Sequence, residues 1–268
     1  HKEHAAGLTV ACMEVPLEQA KQFGVVSIDD AGRITRFEEK PENPTQAPGT
    51  EGLALASMGI YVFSMELLLN VLEDDHQRED SSHDFGNDII PRLIEKAEVY
   101  AYRFGGEAGR VSPDRYWRDV GTLDSFYEAN MGLLDPIPSL DLYQPDWPIR
   151  TYSSQYPPAR TVPRKKGNEG LFIKSMIAGG VVIVGGGVQH SILFPNVTIG
   201  EDAIIHDSIL FDGVKVGDGA ELDRCIVDKG VKIPPGEQIG LDPQRDSARF
   251  TISEKGVVVV PKGYDFEQ

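Results

Sequence analysis

Four short segments carry residues whose types and spacing could do chemistry. Phe37-Glu-Glu-Lys-Pro41 puts a lysine directly before a proline. Proline has no amide donor and a fixed φ, so a strand ladder stops there and the chain direction is set just after Lys40. A lysine at such a strand end offers a compact charge suited to a phosphate monoester, although the same position is commonly just solvated. Ala56-Ser-Met-Gly-Ile-Tyr-Val-Phe63 adds the hydroxyl of Ser57 and, at Gly59, a place where the backbone can be approached closely; it also reads as an ordinary buried strand. Ser82-His-Asp-Phe-Gly-Asn-Asp-Ile-Ile-Pro91 sets Asp84 at a helix start. There it caps the helix by default, and its carboxylate can also accept from sugar hydroxyls. Tyr116-Trp-Arg-Asp-Val-Gly-Thr122 puts Asp119 between a strand end and a helix. It could ligate Mg²⁺, which takes one or two carboxylates plus substrate phosphates. Trp117 could stack on a sugar face; equally, Asp119 could pair with Arg118 or Arg115 and cap the helix.

The elements that must position these residues alternate between strand and helix. Leu8–Met13, Phe23–Ile28, Arg33–Phe37, Ser57–Phe63 and Val99–Phe104 read as strands, and Asp29-Asp-Ala-Gly32 as the turn of a hairpin. Pro16–Lys21, Met65–Leu72 with Ser64 as N-cap, Asn87–Ala97 behind Asp84, and Leu123–Leu134 behind Thr122 read as helices. Pro41–Gly52 is a surface loop. Such alternation predicts a layered α/β domain over 1–135. From 136 to 170 the sequence is proline-rich and aperiodic. It reads as a connector whose Trp147, Ile149 and Tyr152 pack on a surface.

From 171 to 268 an internal repeat takes over. Ser191-Ile-Leu-Phe-Pro-Asn-Val-Thr-Ile-Gly200 aligns with Ser208–Gly217 and then with Cys225–Pro234, at an offset of seventeen residues each time. Ser175–Val184 is a degenerate earlier copy. Aliphatic residues recur about every six positions, the length of one side of a triangular coil, and stacked coils bury a continuous aliphatic column. Glycines and Asp-Gly pairs turn the corners. The pattern predicts a left-handed parallel β-helix of hexapeptide repeats, with Val197, Ile199, Val214, Val216, Val231 and Ile233 inward. The glycines at 179–180 and 185–187 fall in it as corner residues, not as a phosphate loop.

A formal charge of −16 disfavours nucleic acid and anionic membranes as partners. A local basic pocket for a small phosphate survives that field over a Debye length of roughly 8–10 Å. Cys12 and Cys225 lie in unrelated contexts and read as free thiols of a reducing compartment, a disulfide between them being the minor alternative. No apolar run approaches the ~20 residues of a membrane span.

Taken in order, FEEKP, SMGIYVF, HDFGNDIIP and YWRDVGT resemble the bacterial-type ADP-glucose pyrophosphorylase (glucose-1-phosphate adenylyltransferase) family. Trp147–Tyr152 and Ser253–Val260 extend the resemblance over essentially the whole chain. It implies a Rossmann-like α/β nucleotidyltransferase domain followed by the β-helix. The implied reaction joins ATP and glucose 1-phosphate to give ADP-glucose and pyrophosphate, with Mg²⁺ as cofactor, in glycogen or starch synthesis. By position, Lys40 matches the residue that meets the sugar phosphate and Glu39 the one that meets the sugar. Gly24 matches a backbone contact, Ser57 a sugar-binding serine, Tyr61, Asp84, Phe85 and Trp117 the pocket wall, and Asp119 one of two metal-binding aspartates. A cytoplasmic homotetramer under an anionic or nucleotide effector is implied as well, with Arg160, Arg164, Lys165 and Lys166 as a candidate effector patch. The family's glycine-rich nucleotide loop and first metal aspartate have no match here. The chain therefore reads as a truncated fragment, beginning abruptly at His1 and inactive alone. Two other readings compete: a non-catalytic regulatory or oligomerisation subunit, and a hexapeptide acyltransferase using His190 or His206 as base.

Overall fold

The computed structural model describes residues 1–105, 116–143, 145, 148–152, 154–163 and 170–266. The chain divides into two compact units, His1–Arg115 and Tyr116–Gln268. Arg115, Trp147, Arg164, Lys165 and Lys166 lie outside the described residues.

The first unit is built on a five-stranded sheet in the order β3-β2-β4-β1-β5. Its strands are β1 (Leu8–Pro16), β2 (Gly24–Ile28), β3 (Ile34–Glu39), β4 (Leu53–Phe63) and β5 (Val99–Arg103). β1 and β5 are parallel and the other pairs antiparallel. The Asp29–Gly32 turn closes the β2–β3 hairpin as expected. The Asp29 carboxylate accepts from the amides of Ala31 and Arg33, and Gly32 supplies a φ of 81°. Leu8, Val10, Val26, Ile34, Leu55 and Ile90 pack into one core, with alternate strand residues facing it.

Helices α1 (Leu17–Ala20), α2 (Met65–His76) and α3 (Ile90–Leu93) cover the sheet connections. Ser64 has the extended backbone of an N-cap, but its hydroxyl takes no bond from the first turn of α2. The helix expected over Asn87–Ala97 is instead a π-helical turn, Phe85–Ile89, running into the short α3. Pro91 cannot donate to the carbonyl four residues back, which interrupts the α-helical ladder at this point. Asp84 caps the turn as expected, accepting from the Asn87 amide at 2.8 Å.

In the second unit, three stacks of short parallel strands form the β-helix. Strand Arg160–Val162 already pairs with Val182–Val184, so the stacking starts inside the proline-rich stretch. Val197, Ile199, Val214, Val216, Val231 and Ile233 are all buried in a single column, as the repeat requires. The first position of each copy has its own role. The amide of each residue donates to the side chain one coil earlier: Ser191 to Ser175, Ser208 to Ser191, and Cys225 to Ser208. The result is a buried ladder of hydroxyls closing on a thiol, and it satisfies backbone groups that the coil corner would otherwise orphan.

The corners are not all glycine. Lys174, His190, Asp207 and Arg224 each precede a ladder residue, and each takes a left-handed φ of 44–48°. Such strain persists where the surroundings over-determine it. Here the amides of His190, Asp207 and Arg224 bond to the preceding coil at 3.0–3.2 Å, which fixes the corner.

Helix α4 (Leu123–Met131) is capped by Thr122 as the sequence indicates, through a capping box with Ser125, and its last expected turn, Gly132–Leu134, tightens to a 3-10 turn. It lies on the β-helix: Tyr127 and Met131 pack against Ile209, Ile226 and Val257. Tyr127 donates to the Asp207 carbonyl, and Asp124 accepts from the Ser253 hydroxyl and the Lys255 amide.

Candidate active site

Seven of the nine expected site residues belong to the first unit, and the sheet gathers them at one end of β3. Gly24 and Glu39 are paired across the β2–β3 ladder. Lys40 then leaves the ladder with a φ of 46°, its amide still held by the Phe23 carbonyl at 3.0 Å. A left-handed backbone at a non-glycine residue costs roughly 1–2 kcal/mol. Its effect here is to turn the Lys40 side chain out of the ladder and into solvent, where it makes no ion pair with a described residue.

The Glu39 carboxylate turns the other way and is half-buried. It lies across the start of the π-helical turn: a Cβ on Gly86 would stand 2.6 Å from Glu39 Oε2 and 3.3 Å from Asp84 Oδ1. Burial pushes the Glu39 carboxyl above its ordinary value; the Lys40 ammonium opposes the rise and Asp84 adds to it. Glu39 is thus an acceptor held in a partly dry place, with a cation beside it and an anion facing it.

β4 supplies the opposite wall. Between Val10↔Tyr61 and Cys12↔Ser57, the register against β1 slips, so Met58, Gly59 and Ile60 face the single residue Ala11. Gly59 takes a φ of 70° in this bulge, and a Cβ there would meet nothing within 4 Å. Close approach of a neighbouring chain is therefore not what Gly59 serves; its left-handed backbone is. The bulge leaves Ser57 buried, its Oγ accepting from the Gly59 amide at 3.3 Å. Tyr61 is half-buried, and burial is the main cause of its raised phenol pKa; the Ser57 hydroxyl lowers it, while Glu39, Asp84 and Cys12 raise it further. The Phe85 ring lies 5.6 Å from Tyr61 and 5.8 Å from Phe63.

A polar layer ties down the residues just before Asp84. Buried Asp75, on α2, accepts from Ser81 at 2.7 Å and contacts His83 Nδ1 at 2.8 Å, with the Arg92 guanidinium at 3.7 Å. His83 takes a φ of 60° to reach it. The Ser81 bond, then the His83 bond, hold the Asp75 carboxyl below the ordinary range.

Trp117 and Asp119 belong to the second unit. Trp117 is half-buried and Asp119 exposed. Among the described residues Asp119 forms no ion pair with Arg118, and the cap of α4 is Thr122 rather than Asp119; the Arg115 alternative lies outside the described residues. Its carboxylate folds toward Gly121, where a Cβ would stand 3.2 Å from Oδ2. One solvent-open carboxylate suits a hard cation that takes its other ligands from phosphates and water. Among the described residues, no group of three or more His, Cys, Asp and Glu could hold a metal by itself.

Residue chemistry had not marked Gly86 or Cys12. Gly86 is visible only once Glu39 is seen lying against it. Cys12 pairs with Ser57 across the ladder, and burial pushes its thiol up to about 12, so it acts there as an inert apolar wall. Both cysteines are free and buried. His190, the acyltransferase candidate, sits at a corner bonded to Asp207, while His206 lies in register with Gln189, so the two occupy different coil positions. Among the described residues, no helix is long and apolar enough to cross a membrane.

Comparison with known proteins extends this geometry. Residues 1–136 match the nucleotidyl transferase family, and residues 157–260 match the GlmU-like C-terminal hexapeptide family. The second unit is accordingly a left-handed parallel β-helix of hexapeptide repeats. Glucose-1-phosphate adenylyltransferase 2 of Vibrio parahaemolyticus is 58% identical over 266 residues, covering 99% of this chain and 66% of the relative. Glucose-1-phosphate adenylyltransferase of Thermus thermophilus is 48% identical over 270 residues, covering 99% and 65%, and that of Dechloromonas aromatica 44% over 261 residues, covering 97% and 59%. The chain thus spans just under two thirds of the length of the first two of these relatives.

Proposed function

The chain belongs to the nucleotidyl transferase family, and from that premise we propose that its protein transfers the adenylyl group of ATP to glucose 1-phosphate, giving ADP-glucose and pyrophosphate. The observation that carries the proposal is the strand end at β3. It sets a half-buried acceptor, Glu39, beside an exposed ammonium, Lys40. That pairing fits a ligand with hydroxyls at one end and a phosphate at the other. The relatives named for this reaction, 44–58% identical along nearly all of this chain, supply the reaction class.

The sugar phosphate is already ionised at neutral pH, so its oxygen can attack the α-phosphorus of ATP without a general base. Lys40 holds and partly neutralises the attacking phosphate, which lowers the repulsion between two anions. Glu39 and Asp84 accept from sugar hydroxyls, Ser57 and the Gly24 backbone contribute further polar contacts, and Tyr61 and Phe85 wall the sugar. Asp119 is one of the carboxylates that hold Mg²⁺, which when bound supplies positive charge to the phosphates. The exposed Asp119 carboxylate, with no described partner, supports that role.

In the same reading the protein is a cytoplasmic homotetramer of glycogen-type biosynthesis. The two buried free thiols support a reducing compartment. An anionic effector would meet Arg160, exposed on the first β-helix strand, together with Arg164, Lys165 and Lys166. The test of the activity is pyrophosphate release by the full-length protein with ATP, glucose 1-phosphate and Mg²⁺. Turnover that requires all three supports the proposal; turnover with another nucleotide or sugar phosphate, and none with this pair, overturns it.

A further inference from the structure

We infer that Gly86 is a positioning residue for Glu39, its missing side chain being what lets the Glu39 carboxylate lie across the π-helical turn beside Asp84. The inference deepens the proposed role of Glu39 in sugar binding and rests on it for its functional consequence.

The argument separates three reasons for a glycine. Gly86 has an ordinary negative φ, since it is absent from the left-handed positions, so its backbone does not call for glycine. It lies within a helical turn, where glycine is a poor choice compared with alanine. What remains is space. The nearest atoms to a Cβ at Gly86 are Glu39 Oε2 at 2.6 Å, Glu39 Cδ at 3.2 Å and Asp84 Oδ1 at 3.3 Å. All three belong to the two carboxylates assigned to the sugar, and none belongs to the hydrophobic core.

Gly24, on the other side of Glu39, provides the contrast. A Cβ there would stand 2.5 Å from the Phe37 ring as well as 2.9 Å from Glu39 Oε2. Phe37 is buried in the sheet core, so alanine at Gly24 damages the fold. Alanine at Gly86 meets, at 2.6 Å, the free end of the flexible Glu39 side chain, and the Asp84 carboxylate only at a tight 3.3 Å. Glu39 yields by rotating away, the unit still folds, and the acceptor geometry is lost. Gly86 therefore acts on sugar binding through Glu39 and does not itself need to touch the ligand.

A double-mutant cycle in the full-length enzyme tests this. Gly86→Ala should raise the KM for glucose 1-phosphate by about ten- to a hundredfold, the scale of a misplaced contact, with the KM for ATP unchanged. In a Glu39→Ala background the same substitution should do nothing more to that KM. The melting temperature is read in the same four proteins. Gly86→Ala should be neutral or stabilising with Glu39→Ala, and less favourable when Glu39 is present. Equal effects of Gly86→Ala in both backgrounds, on KM and on melting temperature, overturn the positioning role. If Glu39→Ala alone leaves the KM for glucose 1-phosphate untouched, the sugar-binding reading fails, while the melting cycle still decides whether the two residues are coupled.

Discussion

The β-helix and the Glu39 cluster solve different problems with the same kinds of residue. In the β-helix, every coil repeats the one below it, and left-handed corners such as Asp207 and Arg224 are fixed by the coil they stack on. In the first unit, left-handed Lys40, His83 and Gly59 occur once each, and no repeat supports them. They surround the candidate site. The left-handed backbone there aims a side chain or opens a bulge, whereas in the β-helix it only turns a corner. The β-helix column itself is closed, and exposed apolar side chains occur outside the cores of both units, as at Ile60, Val62 and Met65 in the first and Leu171, Phe172 and Ile204 in the second. Stability should therefore concentrate in the column and binding in the cluster, with little exchange between them.

The largest expected break in this contrast is Val216→Asp. The side chain sits in the column, surrounded by buried aliphatic residues. An uncompensated buried charge costs about 3–5 kcal/mol. Urea unfolding of the chain, followed by circular dichroism, should show that loss. A change under about 0.5 kcal/mol would mean the column is not what holds the coils. By contrast, Glu39→Gln should leave the unfolding curve nearly in place.

The next effect is Ser208→Ala. Its Oγ takes the Cys225 amide and bonds to the His206 carbonyl. Removing it leaves a buried amide without a partner, at about 1–3 kcal/mol. If the unfolding midpoint does not move, the ladder is decoration rather than support.

The two regions also differ in how far the sequence announces them. The seventeen-residue offset names the inward aliphatic residues directly, because in a solenoid sequence spacing is spatial spacing. The ladder was visible as the Ser, Ser, Ser, Cys that opens each copy, but its meaning required the bonds between coils. The hairpin turn and the Asp84 cap in the first unit, like the Thr122 cap in the second, are local and were legible. The π-helical turn at Phe85–Ile89 was not, because Pro91 acts on a helix whose start and end both looked regular. Gly59 was legible as important but not why: its φ depends on a register slip between two distant strands. Gly86 was not legible, since its neighbour Glu39 lies far away in the chain.

The smallest effect is on pH. Burial and Asp84 raise the Glu39 carboxyl. A carboxyl raised on folding binds its proton more tightly in the native state, so its contribution to stability is present at low pH and is lost as pH rises through the raised value. Sugar binding runs the opposite way, because the acceptor form is lost as pH falls through that same value. The KM for glucose 1-phosphate should therefore begin to climb at a pH above the ordinary glutamate value. Glu39→Gln should remove that limb while leaving the one due to the substrate's own phosphate. A profile identical in both proteins would place the titration elsewhere.

The central claim is that the end of β3 holds the sugar phosphate, and the most direct test is Lys40→Ala in the full-length enzyme. A charge-assisted contact is worth about 1.5–3 kcal/mol. The KM for glucose 1-phosphate should thus rise roughly ten- to a hundredfold, with the KM for ATP and the melting temperature nearly unchanged. A KM for glucose 1-phosphate equal to that of the parent, or a rise confined to ATP, would contradict the account.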